Sequence, residues 1–413
     1  MTDQILGFLN KKLSPPALKH QYNIQIEQYR GLCALLVFMY HGVSLGEYML
    51  LDSYSLPSFV HYFGAGGLSV ILFFCISGFA IGVSHDKASL NVGDYLKRRL
   101  LRLYPIYLVS FFICLIVAAE LPLKEVLGNL FILQNNNPYL GFKIPIFVNV
   151  STWSLNYEIV YYLLFIAFFF LQPKIWKILL FMLIVSVGLI YAHANVLFFA
   201  DYVDGLYFWL LGLIIAWNIF KYQSPKNNAV PLLSLLFLQM SQDHLGLGEI
   251  ILHTISIRSP TIVNFLFDLP FCLMVMCILT GRDNAFLRFN KLLSYALPAC
   301  VFLYLVFAHR IFEDMRWIMC LIYYLLSLLF YFEKRISAFL MDKLTGVGKI
   351  SYGVYLLHVP VALLIQKTAF MNDRYGGVVV KYALWIILTF GLSVLLERYL
   401  QPALKRWFFP VKA

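Results

Sequence analysis

EQYRGLCALLVFMYHG, residues 27–42, is an apolar run of the kind that forms a membrane span, yet it holds Glu27, Arg30 and His41. Arg30 and His41 are eleven residues apart. At ~100° per residue, that separation is three helical turns plus ~20°, so both side chains fall on one stripe of a helix, ~16 Å apart along its axis. A guanidinium and an imidazole are costly inside a bilayer and are rarely kept there without a partner or a role. Glu27 precedes Arg30 by one turn and can pair with it at i,i+3.

The composition around this stretch points the same way. Hydrophobic residues make up 61% of the 413-residue chain, charged residues only 13%, and the mean hydropathy is +0.77. Soluble domains are nearer half apolar and a quarter charged. The expectation is an all-α, polytopic transmembrane helix bundle, with candidate spans at 27–48, 61–84, 103–120, 153–171, 175–193, 203–220, 229–241, 261–280, 294–309, 316–332, 350–369 and 378–397. Spans of ~17–25 residues fit a hydrocarbon core of ~30 Å. The seventh segment is short and the ninth contains Pro298, so about ten to twelve spans are expected. Three regions follow: a cytoplasmic N-terminal segment (1–25), a transmembrane domain (26–400) and a cytoplasmic C-terminal tail (401–413). Residues 1–25 show no cleavable signal, so the first span should act as an uncleaved anchor.

The net charge of +11 is distributed as orientation charge, and no nucleic-acid partner is expected. Loop 85–102 carries Lys87, Lys97, Arg98, Arg99 and Arg102, and loop 333–349 carries Lys334, Arg335, Lys343 and Lys349. The loops of opposite parity (121–152, 194–202 and 242–260) are poor in Lys and Arg, which puts both termini in the cytoplasm. The segment 244–256 reads as an amphipathic helix on the outer surface. The seven cysteines lie in apolar runs and the nine histidines are scattered, so neither a disulfide framework nor a metal site is expected.

With this orientation Arg30 is near the cytoplasmic end of the first span and His41 in the outer half. Each has an ordinary alternative, the arginine as a snorkelling anchor and the histidine as a neutral core group. KRRLLRLYPIYL (97–108) sets Arg99 and Arg102 at i,i+3 at the mouth of the third span, with Pro105 in its first turn. Guanidinium pairs of this kind clamp phosphate oxygens, although positive-inside charge alone would also explain them. STWSLNYEIVYYLLF (151–165) puts Glu158 and Tyr161 on one face, and GGLSVILFFCISGFAIG (66–82) carries Ser77-Gly78 where helices can approach closely. GKISYGVYLLHVPV (348–361) brings Tyr352, Tyr355 and His358 towards the cytoplasmic half of the eleventh span.

These stretches, taken together and in order, resemble the bacterial membrane acyltransferase 3 family of integral-membrane O-acyltransferases. The matching residues are Arg30 and His41; F-F-C-I-S-G-F in the second span; Arg99, Arg102 and Pro105; Trp153 to Tyr161; and Ile350 to Pro360. Glu27 stands where an aspartate is more usual, and the chain is similar to the stand-alone form without an SGNH-type domain. The resemblance implies transfer of an acyl group, most often acetyl, from cytoplasmic acyl-CoA to a hydroxyl of a cell-envelope or exported carbohydrate or lipid-linked glycan at the bacterial inner membrane. It implies donor binding by Arg30, Arg99 and Arg102, and catalysis by His41 as general base or acyl carrier. Glu158 would assist the acceptor, and Glu27, Tyr161, Ser77 and Tyr355 would support these groups. No metal is implied, and membrane lipids are the other expected partner. The competing reading is a transporter or flippase that uses the same buried ionisable groups as a proton relay.

Overall fold

The computed structural model describes residues 15–44, 62–63, 65–85, 90–134, 144–191, 197–219, 231–247, 260–280, 285–367 and 375–408. Among these residues the chain is helical and contains no strand. In order the helices are α1 (Pro15–Ser44), α2 (Gly66–Ser84), α3 (Val92–Val117), α4 (Leu123–Leu130), α5 (Trp153–Leu171), α6 (Ile175–Tyr191), α7 (Leu197–Ile219), α8 (Leu232–Leu245), α9 (Pro260–Thr280), α10 (Ala285–Phe307), α11 (Met315–Phe332), α12 (Lys334–Gly348), α13 (Ser351–Lys367), α14 (Tyr375–Val394) and α15 (Gln401–Phe408). A 3₁₀ turn (Val150–Thr152) precedes α5, and a π-helical turn (Leu395–Leu400) joins α14 to α15.

Each apolar segment picked out from the sequence falls on one of these helices. Among the described residues, six helices are long and apolar enough to cross a membrane, or seven if the bent pair α12–α13 counts as one span. Of the other segments, α8 has 14 residues, which at ~1.5 Å per residue gives ~21 Å, short of a hydrocarbon core.

Two basic stretches expected as loops are partly helical. α3 begins at Val92, capped by Asn91, whose side chain accepts from the Asp94 N–H at 3.1 Å. Pro105 is therefore inside the helix and not in its first turn. Residues 334–348 form α12, bent by 70° from α13 and packed along α1. The proposed surface helix 244–256 lies mostly outside the described residues, which here stop at Leu247.

Prolines inside helices are tolerated where the freed carbonyl finds another donor. Pro360 removes the N–H that would bond the Leu356 carbonyl, and that carbonyl accepts from Ser110 Oγ at 3.0 Å and Asn149 Nδ2 at 2.8 Å. Pro298 does the same to Ser294, whose carbonyl accepts from Gln242 Nε2 at 2.7 Å. Because of this donor α10 continues through Pro298 unbroken. α2 is central and largely buried. It meets α7 backbone to backbone, since a Cβ on Gly78 would run into the Trp209 carbonyl and one on Gly212 into the Cys75 carbonyl.

Candidate active site

The candidate residues come together from α1, α2, α3, α5 and α13. Arg30 and His41 lie on α1, and Arg30 Nη1 is 3.5 Å from Glu27 Oε1. Arg30, Ser77, Arg102, Ser154, Glu158 and Tyr355 line one internal cavity of about 60 Å³, with Val70, Phe73 and Phe74 as apolar wall. Glu158 Oε1 accepts from Ser77 Oγ at 3.0 Å and from the Tyr162 hydroxyl. Arg102 stands in the field of three carboxylates, Glu27, Glu158 and Glu397.

α13 supplies the other wall and is held by the turn before α5. Ser151 Oγ donates to the Tyr355 carbonyl at 3.2 Å, the Tyr355 hydroxyl donates to the Ser151 carbonyl at 2.7 Å, and Ser154 Oγ lies 2.7 Å from that hydroxyl. One helical turn beyond Tyr355 is His358, with no exposed surface. Its Nε2 is 2.7 Å from His41 Nδ1.

The tautomers of this pair follow from what surrounds it. His358 Nδ1 is 3.0 Å from the Val354 carbonyl, which can only accept. Nδ1 must then carry the proton, leaving Nε2 as an acceptor. His41 Nδ1 must therefore donate to it, and His41 Nε2 is left with a free lone pair. The backbone around the pair is fixed as well: Trp385 Nε1 donates to the His358 carbonyl at 2.7 Å and its ring stacks on Phe38 at 3.9 Å.

Arg102 also lines a second, open cleft of about 660 Å³, together with Arg98, Arg99, Lys405 and Arg406. The Arg99 guanidinium is bracketed by Tyr95 and Tyr162, 5.2 and 5.1 Å from the ring centroids. The groups thus form a series, from the cleft through Arg102 to the cavity, and past Tyr355 to the histidines.

One assignment changes. Tyr161 packs against Phe74 and Trp209 and does not line the cavity. Tyr162 takes the position beside the carboxylate. On a helix, i+3 lies ~60° to one side of i and i+4 lies ~40° to the other, and the neighbouring helices determine which side faces the cavity. His358, Ser154, Lys405 and Arg406 were not singled out from the sequence as site residues. For His358 a signal existed, since it stands one turn beyond Tyr355 in an apolar helix and needs a polar partner. Its level also differs from expectation, because it meets His41 and so shares that residue's depth in the bundle.

A many-helix membrane bundle enclosing a basic cleft, a carboxylate-bearing cavity and a bonded histidine pair is an architecture suited to a membrane enzyme. Residues 23–398 match the acyltransferase domain family Acyl_transf_3, and the chain belongs to that family. It is 30% identical over 125 residues to the exopolysaccharide production protein ExoZ of Rhizobium meliloti (strain 1021), covering 29% of this chain and 38% of that protein. It is 29% identical over 160 residues to the acyltransferase MdmB of Streptomyces mycarofaciens, covering 35% of this chain and 39% of the relative. The matched segments thus span less than two fifths of each relative. No solved structure matches the chain significantly.

Proposed function

We propose that this chain is an O-acyltransferase of the bacterial inner membrane that moves an acyl group, acetyl in the first instance, from cytoplasmic acyl-CoA to a hydroxyl of an exported or envelope carbohydrate. The observation that carries the reading is the His41–His358 pair, which leaves a nitrogen lone pair on His41 and, through His358, adjoins Tyr355, a residue lining the cavity that shares Arg102 with the arginine cleft. Family membership and the similarity to the acyltransferase MdmB support acyl transfer. The similarity to the exopolysaccharide production protein ExoZ supports a carbohydrate acceptor.

In this mechanism Arg99 and Arg102 hold donor phosphates, and Arg30, steadied by Glu27, guides the pantetheine arm through the cavity. The ~16 Å from Arg30 to His41 along α1, at ~1.5 Å per residue, suits the reach of that arm. His41 Nε2 takes the proton of the acceptor hydroxyl as its oxygen attacks the thioester carbonyl. The carbon–sulfur bond breaks, and the departing CoA thiolate receives the proton from His41. The positive charge that His41 acquires is shared through its Nδ1–H with His358 Nε2. The same lone pair could instead take the acyl group first, and an acid-quenched single turnover separates the two routes by the presence or absence of an acylated protein. Glu158, held by Ser77 and Tyr162, orients the acceptor or assists its proton, and Tyr355 spaces the cavity from the histidines.

The proposal includes ten to twelve spans, both termini in the cytoplasm, and the division into residues 1–25, 26–400 and 401–413. This orientation gives the arginine cleft access to cytoplasmic CoA. The test uses purified protein in nanodiscs, wild type and His41→Ala, with radiolabelled acetyl-CoA and an envelope glycan extract. Label transfer by the wild type, lowered about 10²–10⁴-fold or more in a folded His41→Ala variant, is the expected result. Wild-type protein that neither binds nor consumes the donor would refute the proposal and turn attention to transport.

A further inference from the structure

The cleft at the mouth of the pathway holds more cations than the pair Arg99 and Arg102. Arg98, Arg99 and Arg102 come from α3 and face Lys405 and Arg406 from α15, while Ser84 and His85 complete the wall and, among the described residues, no carboxylate lines it. α15 is docked on α3 at both ends: Gln401 Nε2 donates to the Arg102 carbonyl at 2.7 Å, and Lys97 Nζ donates to the Phe408 carbonyl at 2.8 Å. Burial, and then the repulsive field of Arg102, lower the pKa of Lys405 against a smaller pull from Glu397. Arg99 buries an Nε that has no hydrogen-bond partner among the described residues.

Basic residues in a last helical turn have an ordinary reading, as complements to the helix dipole. That reading does not explain why these two face three arginines of another helix across one cleft. Like charges this close repel each other, and salt and the carboxylates near Arg102 offset this only partly, so an anion entering the cleft is favoured. The cations also differ in depth. Arg102 lines the internal cavity as well as the cleft and marks the inner end. Lys405 and Arg406 line the cleft alone.

We infer that α15 is the outer half of a two-point phosphate site: Arg99 and Arg102 engage an inner phosphate group, Lys405 and Arg406 engage an outer one, and the chain thereby selects donors that carry both. The inference rests on the acyl-CoA reading and adds a specificity to it. The inner group is the diphosphate next to the pantetheine arm, and the outer one is the 3′-phosphate, a monoester carrying about −1.5 to −2 charge. A donor with one phosphate on its arm, such as an acyl group on a carrier-protein phosphopantetheine, fills only the inner half.

Calorimetric titration of the full-length protein in neutral-lipid nanodiscs with CoA and with 3′-dephospho-CoA tests this. The wild type should bind CoA about tenfold more tightly, the scale of one or two charge-assisted contacts. The Lys405→Gln/Arg406→Gln double variant should bind both ligands alike, at the wild-type affinity for dephospho-CoA. Arg99→Gln should weaken both ligands and keep the preference. If the double variant does not fold, each single variant should lose part of the preference, and Lys405→Arg should retain it. Equal affinities in the wild type, or a preference that survives the double substitution, would overturn the inference while leaving the acyl-CoA reading in place. Wild type that binds neither ligand would overturn both. An anionic lipid headgroup presents the same phosphate chemistry, and adding phosphatidylglycerol to the nanodiscs separates the sources. Loss of the wild-type preference for CoA over dephospho-CoA once the anionic lipid is present would assign the outer half to lipid and overturn the nucleotide assignment, whereas a preference that persists upholds it.

Discussion

His41 has a neighbour that sets which of its nitrogens is available. Because the Val354 carbonyl fixes the proton on His358 Nδ1, His358 can only accept from His41. On the proposed mechanism His358 is a positioning residue, and its replacements should be graded. His358→Ala removes the acceptor and should lower kcat about 10²–10⁴-fold with donor affinity unchanged. His358→Gln places an amide oxygen near the lost Nε2 and should recover part of that rate. If Ala and Gln are equally inactive although both proteins are folded, the pair does not work in this way. Glu158 depends likewise on Tyr162, so Tyr162→Phe should impair turnover more than Tyr161→Phe, as measured by initial rates. At this scale the sequence was readable where residue type alone is informative. A guanidinium or imidazole in an apolar run is conspicuous in any register, as Arg30 and His41 were. The choice between Tyr161 and Tyr162 was not readable, because both lie close enough to Glu158 on the helix and only the packing of Trp209 and Phe74 separates them.

Among the helices, α13 carries Tyr355 and His358 and also depends on donors from outside itself. Pro360 leaves the Leu356 carbonyl to Asn149 and Ser110. Asn149→Leu removes the shorter of these two bonds and also strips Ser151 N–H of its acceptor, and should cost about 1–3 kcal/mol of stability. A thermal melt in detergent measures it, and a melt identical to wild type would show that the carbonyl is satisfied otherwise. α12 is fixed to α1 more tightly than side chains would allow, since a Cβ on Gly348 would run into the Glu27 carbonyl. Gly348→Val should push the two helices apart, shift Glu27 and Arg30, and lower both the melting temperature and donor affinity. The helices themselves were legible in the sequence, since apolar runs bounded by charge leave little choice of conformation in a bilayer. Their ends were not. α3 begins eleven residues before the expected span and α12 occupies an expected loop, because polar helical turns beyond the apolar core carry no hydropathy signal.

The whole molecule gathers cations at the cleft and histidines beyond the cavity. Donor affinity should therefore fall with ionic strength, about tenfold between low and high salt, whereas His41→Ala should show the same salt dependence as wild type. Titrations across a NaCl series measure both, and a salt-independent affinity would contradict phosphate binding at the cleft. The helix-only class was legible from composition, but how α15 folds back on α3 was not, because Gln401 and Lys97 meet backbone carbonyls, which no side-chain pattern marks. The bonded histidines carry one further consequence. A proton that reaches His41 Nε2 has no onward route through His358, whose far nitrogen is already protonated against a helix carbonyl. The pair is a terminus and not a wire, so the proton can only return to the reacting molecules. Turnover of this kind exchanges no net proton with either side of the membrane, and its rate should be indifferent to an imposed pH gradient or membrane potential.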